Sequence, residues 1–205
     1  MPLDIERFDI PGLILAKPRR FGDERGWFSE VYSASAWAEH GVTVDFVQDN
    51  HSFTASPGTL RGLHFQAPPH GQDKLVRVAR GRVFDVAVDL RVGSPTYGQW
   101  AGAELSAEGG EQLLVPVGLA HGFLTLTPDC EVLYKCSSTY APSAEGGLAW
   151  DDPQVAIAWP DDIQVEHLND RDRGWPTLDE LASPFRFAPE PVVRPITPRP
   201  IGVPS

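Results

Sequence analysis

Three short segments carry side chains able to move a proton near neutral pH. In LRGLHFQ, residues 60–66, strand alternation puts Gly62, His64 and Gln66 on one face. The glycine leaves room for a ligand against the backbone, beside an imidazole that titrates near neutrality and suits a general base. Tyr134, in LYK, is a phenol that can hand over a proton wherever its anion is stabilised, and the adjacent Lys135 points to the opposite face of that strand. NDRDRGWP, residues 169–176, offers Asp170 and Asp172, either of which can orient an imidazole through its Nδ1 proton. The six histidines lack the pattern of a metal-binding cupin barrel, in which two histidines stand one residue apart with a glutamate shortly after. Here His64 is followed by Phe65 and Gln66, and the next glutamate is Glu104, so no metal is expected. His40, His70 and His167 read as ordinary surface or core imidazoles.

The elements that must position these groups read as strands. KLVRVARGRVFDVAVDLRVGSP, residues 74–95, alternates apolar and polar residues on both sides of Arg80-Gly81, which predicts a hairpin. Its second half sets Phe84, Val86, Val88 and Leu90 on one face and Asp85, Ala87 and Asp89 on the other, so the carboxylates line a polar interior or solvent. FVQDNHSF, TLRGLHFQ, QWAGAELS, EQLLVPVG, HGFLTLT, CEVLYKCSST and VAIAWP are further strand-length pieces separated by Gly, Pro, Ser and Asp clusters. Short strands at this spacing predict an all-β sandwich or barrel. Helix is confined to residues 33–41, with a serine cap and a glycine stop, and to residues 177–183. Residues 184–205 carry seven prolines in 22 residues and make no regular element, so they form an extension, extended over the surface or free of it, to a single domain over 1–183.

Composition narrows the function. The 205 residues suit one core, and no apolar run approaches the ~18 residues of a membrane span. Acidic side chains outnumber basic ones 28 to 17, a formal charge of −11 that opposes attraction to nucleic acid or an anionic membrane. A small anionic ligand then requires a local gathering of arginines. Cys130 and Cys136, six rises of about 3.3 Å apart if they share a strand, are too distant to pair and read as buried thiols. With no basic leader at the start, the chain reads as cytoplasmic.

Taken together, FGDERGWFSE, QDNHS, LRGLHFQ, KLVRV, GRVFDVAVDLR, SPTYGQW, VPVGLAHGF, LYKCSSTYAPSAEGG and IAWP occur in an order and spacing that resembles the dTDP-4-dehydrorhamnose 3,5-epimerase family from about residue 4 to 182. The resemblance implies a metal-free, cofactor-free, cupin-like jelly roll, usually a homodimer, acting on a dTDP-linked 4-keto-6-deoxy sugar. Its reaction inverts C3 and C5 to give dTDP-4-dehydro-L-rhamnose. A single-centre epimerase or ketoisomerase of a related sugar is the alternative. Carried onto this chain, the resemblance makes His64 the proton acceptor, Asp172 its orienting carboxylate, Tyr134 the proton donor and Lys74 the group near the developing enolate. It puts His121 beside the sugar, and Arg25, Glu30, Gln48, Asp49, Asn50, Arg61 and Glu145 among the substrate contacts. Tyr140 matches an aromatic that stacks on thymine from the neighbouring subunit. Where the family commonly has Ser-x-Lys-Asp, this chain has Asn169-Asp170-Arg171-Asp172, so Arg171 replaces a lysine as phosphate partner with different geometry. Strict alternation puts Arg61 and His64 on opposite faces, so a shared site requires a bulge or a strand end.

Overall fold

The computed structural model describes residues 3–188. In chain order the strands are β1 (Leu3–Arg7), β2 (Ile14–Pro18), β3 (Phe21–Asp23), β4 (Gly26–Phe28), β5 (Gln48–Thr54), β6 (Leu60–Gln66), β7 (Lys74–Arg80), β8 (Arg82–Asp89), β9 (Trp100–Ser106), β10 (Gln112–Val115), β11 (Leu119–Thr125), β12 (Cys130–Cys136) and β13 (Glu145–Gly147). Helix α1 (Ala34–Glu39) precedes β5, and α2 (Asp170–Arg173) follows β13. Two antiparallel sheets, ordered β1-β2-β10-β7-β12-β5 and β13-β6-β11-β8-β9, pack face to face, and β3 and β4 make a separate ribbon. This is the sandwich of the sandwich-or-barrel pair that the many short strands predict, and the jelly roll that the resemblance implies.

Three apolar clusters hold it together. Val76, Val78, Leu113, Val132, Val83, Leu105 and Phe123 fill the interior between the sheets. Trp37, Val42 and Val44 cover Ile14, Ala16, Leu75 and Leu114 on the outer face of the six-stranded sheet. Leu148, Val155, Leu178 and Phe185 cover Leu63, Phe65, Val88 and Leu90 on the outer face of the other sheet. Both faces of β8 are therefore buried. Its apolar side lies under the C-terminal segment, while Asp85 and Asp89 point into the sandwich with no exposure.

Several expectations need correction. β7 and β8 are not a hairpin: β7 pairs with β10 and β12, and β8 with β11 and β9, so the turn at Arg80-Gly81 carries the chain from one sheet to the other. Alternation defines a strand but not its partner. Residues 155–160 form no strand, because Val155 spends its N–H on the Asp152 carboxylate and packs as cover rather than joining a ladder. Residues 177–183 make a single turn, with Leu181 N–H bonded to Thr177 C=O and Leu178 N–H drawn off to Asp152 Oδ2. A short helix over Asp170–Arg173, not foreseen from the sequence, follows Asn169, whose Oδ1 caps it by accepting from Asp172 N–H at 2.7 Å.

Cys130 and Cys136 lie at the two ends of β12 as free, buried thiols. Packing continues past residue 183: Phe185 is buried, its ring meets Phe65 edge-on, and Phe187 N–H bonds Val92 C=O. The rest of the proline-rich extension lies outside the described residues. Among the described residues no helix is long and apolar enough to cross a membrane.

Candidate active site

At one end of the sandwich the sheets part around two adjoining chambers of about 270 and 370 Å³ that share His64, Lys74, Tyr134, Tyr140 and Glu145. Together they reach the size range of small-molecule sites. The walls come from opposite sheets. His64 on β6 and His121 on β11 project from the five-stranded sheet, and Lys74 on β7 and Tyr134 on β12 from the six-stranded one.

The shared wall of Arg61 and His64 depends on a bulge. β6 pairs with β11 at His64↔His121 and at Arg61↔Phe123, so three steps on β6 oppose two on β11. Gly62 makes this possible, with φ +132° and a hypothetical Cβ only 2.6 Å from Gly122 Cα. Both Arg61 and His64 then line the cavity.

Asp172 is the carboxylate that holds His64, whereas Asp170 is exposed to solvent. Asp172 Oδ1 is 2.7 Å from His64 Nε2, and Oδ2 accepts from Gly62 N–H at 3.1 Å. The contact uses Nε2 rather than the Nδ1 expected from the sequence, because α2 brings the carboxylate to the outer end of the ring. With a proton on Nε2 shared with Asp172, the lone pair available for chemistry sits on Nδ1. Burial works to raise the Asp172 pKa, but the His64 hydrogen bond, the Gly62 amide and the nearby Arg171 outweigh it and hold the carboxyl below its ordinary value.

The opposite wall is tuned in the other direction. Burial pushes the Tyr134 phenol up, only partly offset by Arg61, so it remains protonated at neutral pH. Burial pulls Lys74 down, against the opposing pull of Cys136, Asp85 and Glu145. Sequence reasoning missed Asp85 as a site residue. Its buried Oδ1 is 2.7 Å from His121 Nε2, a second imidazole–carboxylate pair inside the sandwich. Alternation set Asp85 apart from the apolar face of β8 but left interior and solvent open, and the β8–β11 register that sets it near His121 was not legible.

At the mouth, Glu145 Oε2 accepts from Arg171 Nη1 at 2.9 Å and from the Tyr140 hydroxyl at 3.2 Å. Tyr140 N–H bonds Gln48 Oε1, whose amide donates to Asn50 Oδ1, so Gln48, Asn50 and the Tyr140 loop are tied together. Tyr140, expected to reach a neighbour's pocket, lines the cavity of its own chain, since these bonds fold its loop back over β5 and β13. Arg61, Lys74 and Arg171 give the cavity the local positive charge that the net −11 made a condition.

Three expected residues lie elsewhere. Asp49 faces outward from β5 and pairs with Lys135, as the two-residue period of the strand requires once Gln48 and Asn50 face in. Arg25 sits on the exposed β3–β4 ribbon, paired with Asp23 at 2.5 Å, and Glu30 follows the ribbon; neither lines either chamber of its own chain. Among the described residues no group of three or more His, Cys, Asp or Glu is placed to hold a metal.

The family model described as dTDP-4-dehydrorhamnose 3,5-epimerase matches residues 7–180. The dTDP-4-dehydrorhamnose 3,5-epimerase of Sinorhizobium fredii is 50% identical over 182 residues, covering 89% of this chain and 93% of that protein. The crystal structure of the Legionella pneumophila dTDP-6-deoxy-D-glucose-3,5-epimerase in complex with dTDP-4-keto-L-rhamnose superposes with a TM-score of 0.86 at 42% identity, covering 91% of this chain and all of that one. ChmJ, a 3'-monoepimerase from Streptomyces bikiniensis solved with dTDP-quinovose, gives a TM-score of 0.78 at 37% identity, covering 84% of this chain and 86% of that one. With the match spanning both sheets and every strand that builds the cavity, this chain belongs to the dTDP-4-dehydrorhamnose 3,5-epimerase family.

Proposed function

We propose that this chain inverts C3 and C5 of dTDP-4-dehydro-6-deoxy-D-glucose to give dTDP-4-dehydro-L-rhamnose. The observation that carries the reading is the opposition of His64 and Tyr134 across one cavity, from two different sheets. The hydrogens at C3 and C5 are both α to the C4 ketone. Removing either leaves an enolate with its charge on O4, so inversion needs a base on one face and an acid on the other. His64, oriented by Asp172, takes the proton at Nδ1, and the enolate charge falls to Lys74, with donors preorganised in a site of low dielectric. Tyr134, kept neutral by burial, returns a proton from the far wall. Arg61 and Arg171 take the diphosphate, and the half-exposed Tyr140 ring offers a face to thymine.

The same reading gives a homodimer. The β3–β4 ribbon exposes Trp27, Phe28 and Arg25, and among the described residues β5 is the outermost strand of its sheet, so the ribbon that carries Arg25 can reach a second copy. Two free thiols fit a cytoplasmic location. The test is NMR of dTDP-4-dehydro-6-deoxy-D-glucose in D₂O with the enzyme, following both carbons. Deuterium at C3 and C5 of an inverted product supports the reading. Inversion at C3 alone favours the single-centre alternative, and no exchange at either carbon overturns the assignment.

A further inference from the structure

The segment that brings Asp172 to one side of His64 brings a second group to it three residues later. Gly174 ends α2, and the Trp175 indole then meets the His64 imidazole edge to face, with centroids 6.1 Å apart and planes at 75°. The space it occupies is made by a missing side chain. Gly147 on β13 stands directly opposite His64 on β6, and a Cβ on Gly147 would lie 2.3 to 2.5 Å from Trp175 Cδ2, Cε2 and Cγ. Cross-strand partners project to the same face, so the indole lies flat where the neighbour of His64 would otherwise stand. Trp175 Nε1 is buried with no hydrogen-bond partner among the described residues. An orphaned donor is a cost, so what this residue contributes at this place is the ring and not the N–H.

The geometry points to Trp175 as a positioning residue for the reaction, clamping the His64 ring against Asp172 so that Nδ1 faces the substrate carbon. The inference rests on His64 being the base. A neutral imidazole held by a single hydrogen bond can still rotate about it. The perpendicular indole contact and the Asp172 hydrogen bond together restrict that rotation, and a misplacement of about 1 Å at a reacting atom costs on the order of 10²-fold in rate.

The test compares wild type, Trp175→Ala, Trp175→Phe, Gly147→Ala and the double variant Gly147→Ala/Trp175→Ala in deuterium wash-in at C3 and C5, with dTDP affinity and thermal midpoint measured on each. Trp175→Ala is expected to lower kcat on the order of 10²-fold with dTDP affinity within about twofold of wild type. Trp175→Phe, which keeps an aromatic edge and removes the orphaned N–H, restores most of the rate without loss of thermal midpoint. Gly147→Ala displaces the indole and lowers kcat similarly, but in the Trp175→Ala background it costs little more, because the clash is gone. Near-wild-type kcat in folded Trp175→Ala, with His64→Ala inactive, overturns the positioning role and leaves the base assignment standing. An active His64→Ala instead removes the reading on which the inference rests.

Discussion

Replacing Asp172 by asparagine probes the base without removing it. The carboxylate accepts two hydrogen bonds, from His64 Nε2 at 2.7 Å and from the buried Gly62 N–H at 3.1 Å. An asparagine has one acceptor oxygen and one donor nitrogen and cannot satisfy both. If its oxygen stays with Gly62, its NH₂ faces Nε2 and drives the imidazole proton onto Nδ1, the nitrogen needed for catalysis. If it turns, two donors meet at Gly62. Loss of a charge-assisted bond alone is worth about 1.5 to 3 kcal/mol, roughly 10- to 150-fold in rate, and the unfavourable tautomer adds to it. Asp172→Asn should therefore lower the rate of deuterium wash-in by about 10² to 10⁴-fold, the range for a general base, while dTDP affinity by calorimetry changes little. Wash-in at more than half the wild-type rate, in a folded variant that binds dTDP, would refute the role given to this pair.

Three further variants probe the scaffold. Asp89 accepts from Arg91 through both oxygens and from Ser94 and Thr96, so Asp89→Ala leaves Arg91 buried without its partner and should cost about 3 to 5 kcal/mol in denaturant unfolding. Although burial works to raise its pKa, these bonds hold Asp89 below the ordinary aspartate value. Its contribution is therefore complete above about pH 3.9 and fades as pH falls through the lowered pKa, and the variant's acid unfolding should begin at higher pH. Truncation after Ala188 should preserve wash-in rate and thermal midpoint, whereas Phe185→Ala should cost about 3 to 5 kcal/mol by emptying the space against Phe65. A large loss of activity on truncation, or a neutral Phe185→Ala, would contradict the boundary drawn here.

What was legible in the sequence is local. Alternation marked β7 and β8, and strand-length pieces between turn residues marked β5, β6 and β9 to β12, while Asp85 was left to face either a polar interior or solvent. Gly62, read as leaving room for a ligand, instead makes room for the Gly122 backbone. What escaped is what tertiary packing decides. The Arg80-Gly81 turn gives no sign that it crosses between sheets, since both strands alternate as hairpin strands do. Val155 to Trp159 is apolar enough for a strand, but covers the outer face of one. Trp175 is one of six tryptophans and Gly147 one of nineteen glycines, and only the β6–β13 register makes them neighbours of the base. Arg25 and Glu30 were placed in the site by resemblance, and one chain alone does not bring them there.

The most direct measurement is the ratio of exchange to inversion in D₂O for His64→Ala and Tyr134→Phe, each first shown to bind dTDP. His64 and Tyr134 stand on opposed walls of the cavity, so their losses should separate. His64→Ala should lose both deuterium entry and inverted product by about 10² to 10⁴-fold. Tyr134→Phe keeps the base, so deuterium should still enter at C3 by return to the original face while inverted product falls, and exchange should outrun inversion. Epimerisation by His64→Ala at near the wild-type rate, or equal loss of exchange and inversion in Tyr134→Phe, would contradict the two-wall mechanism.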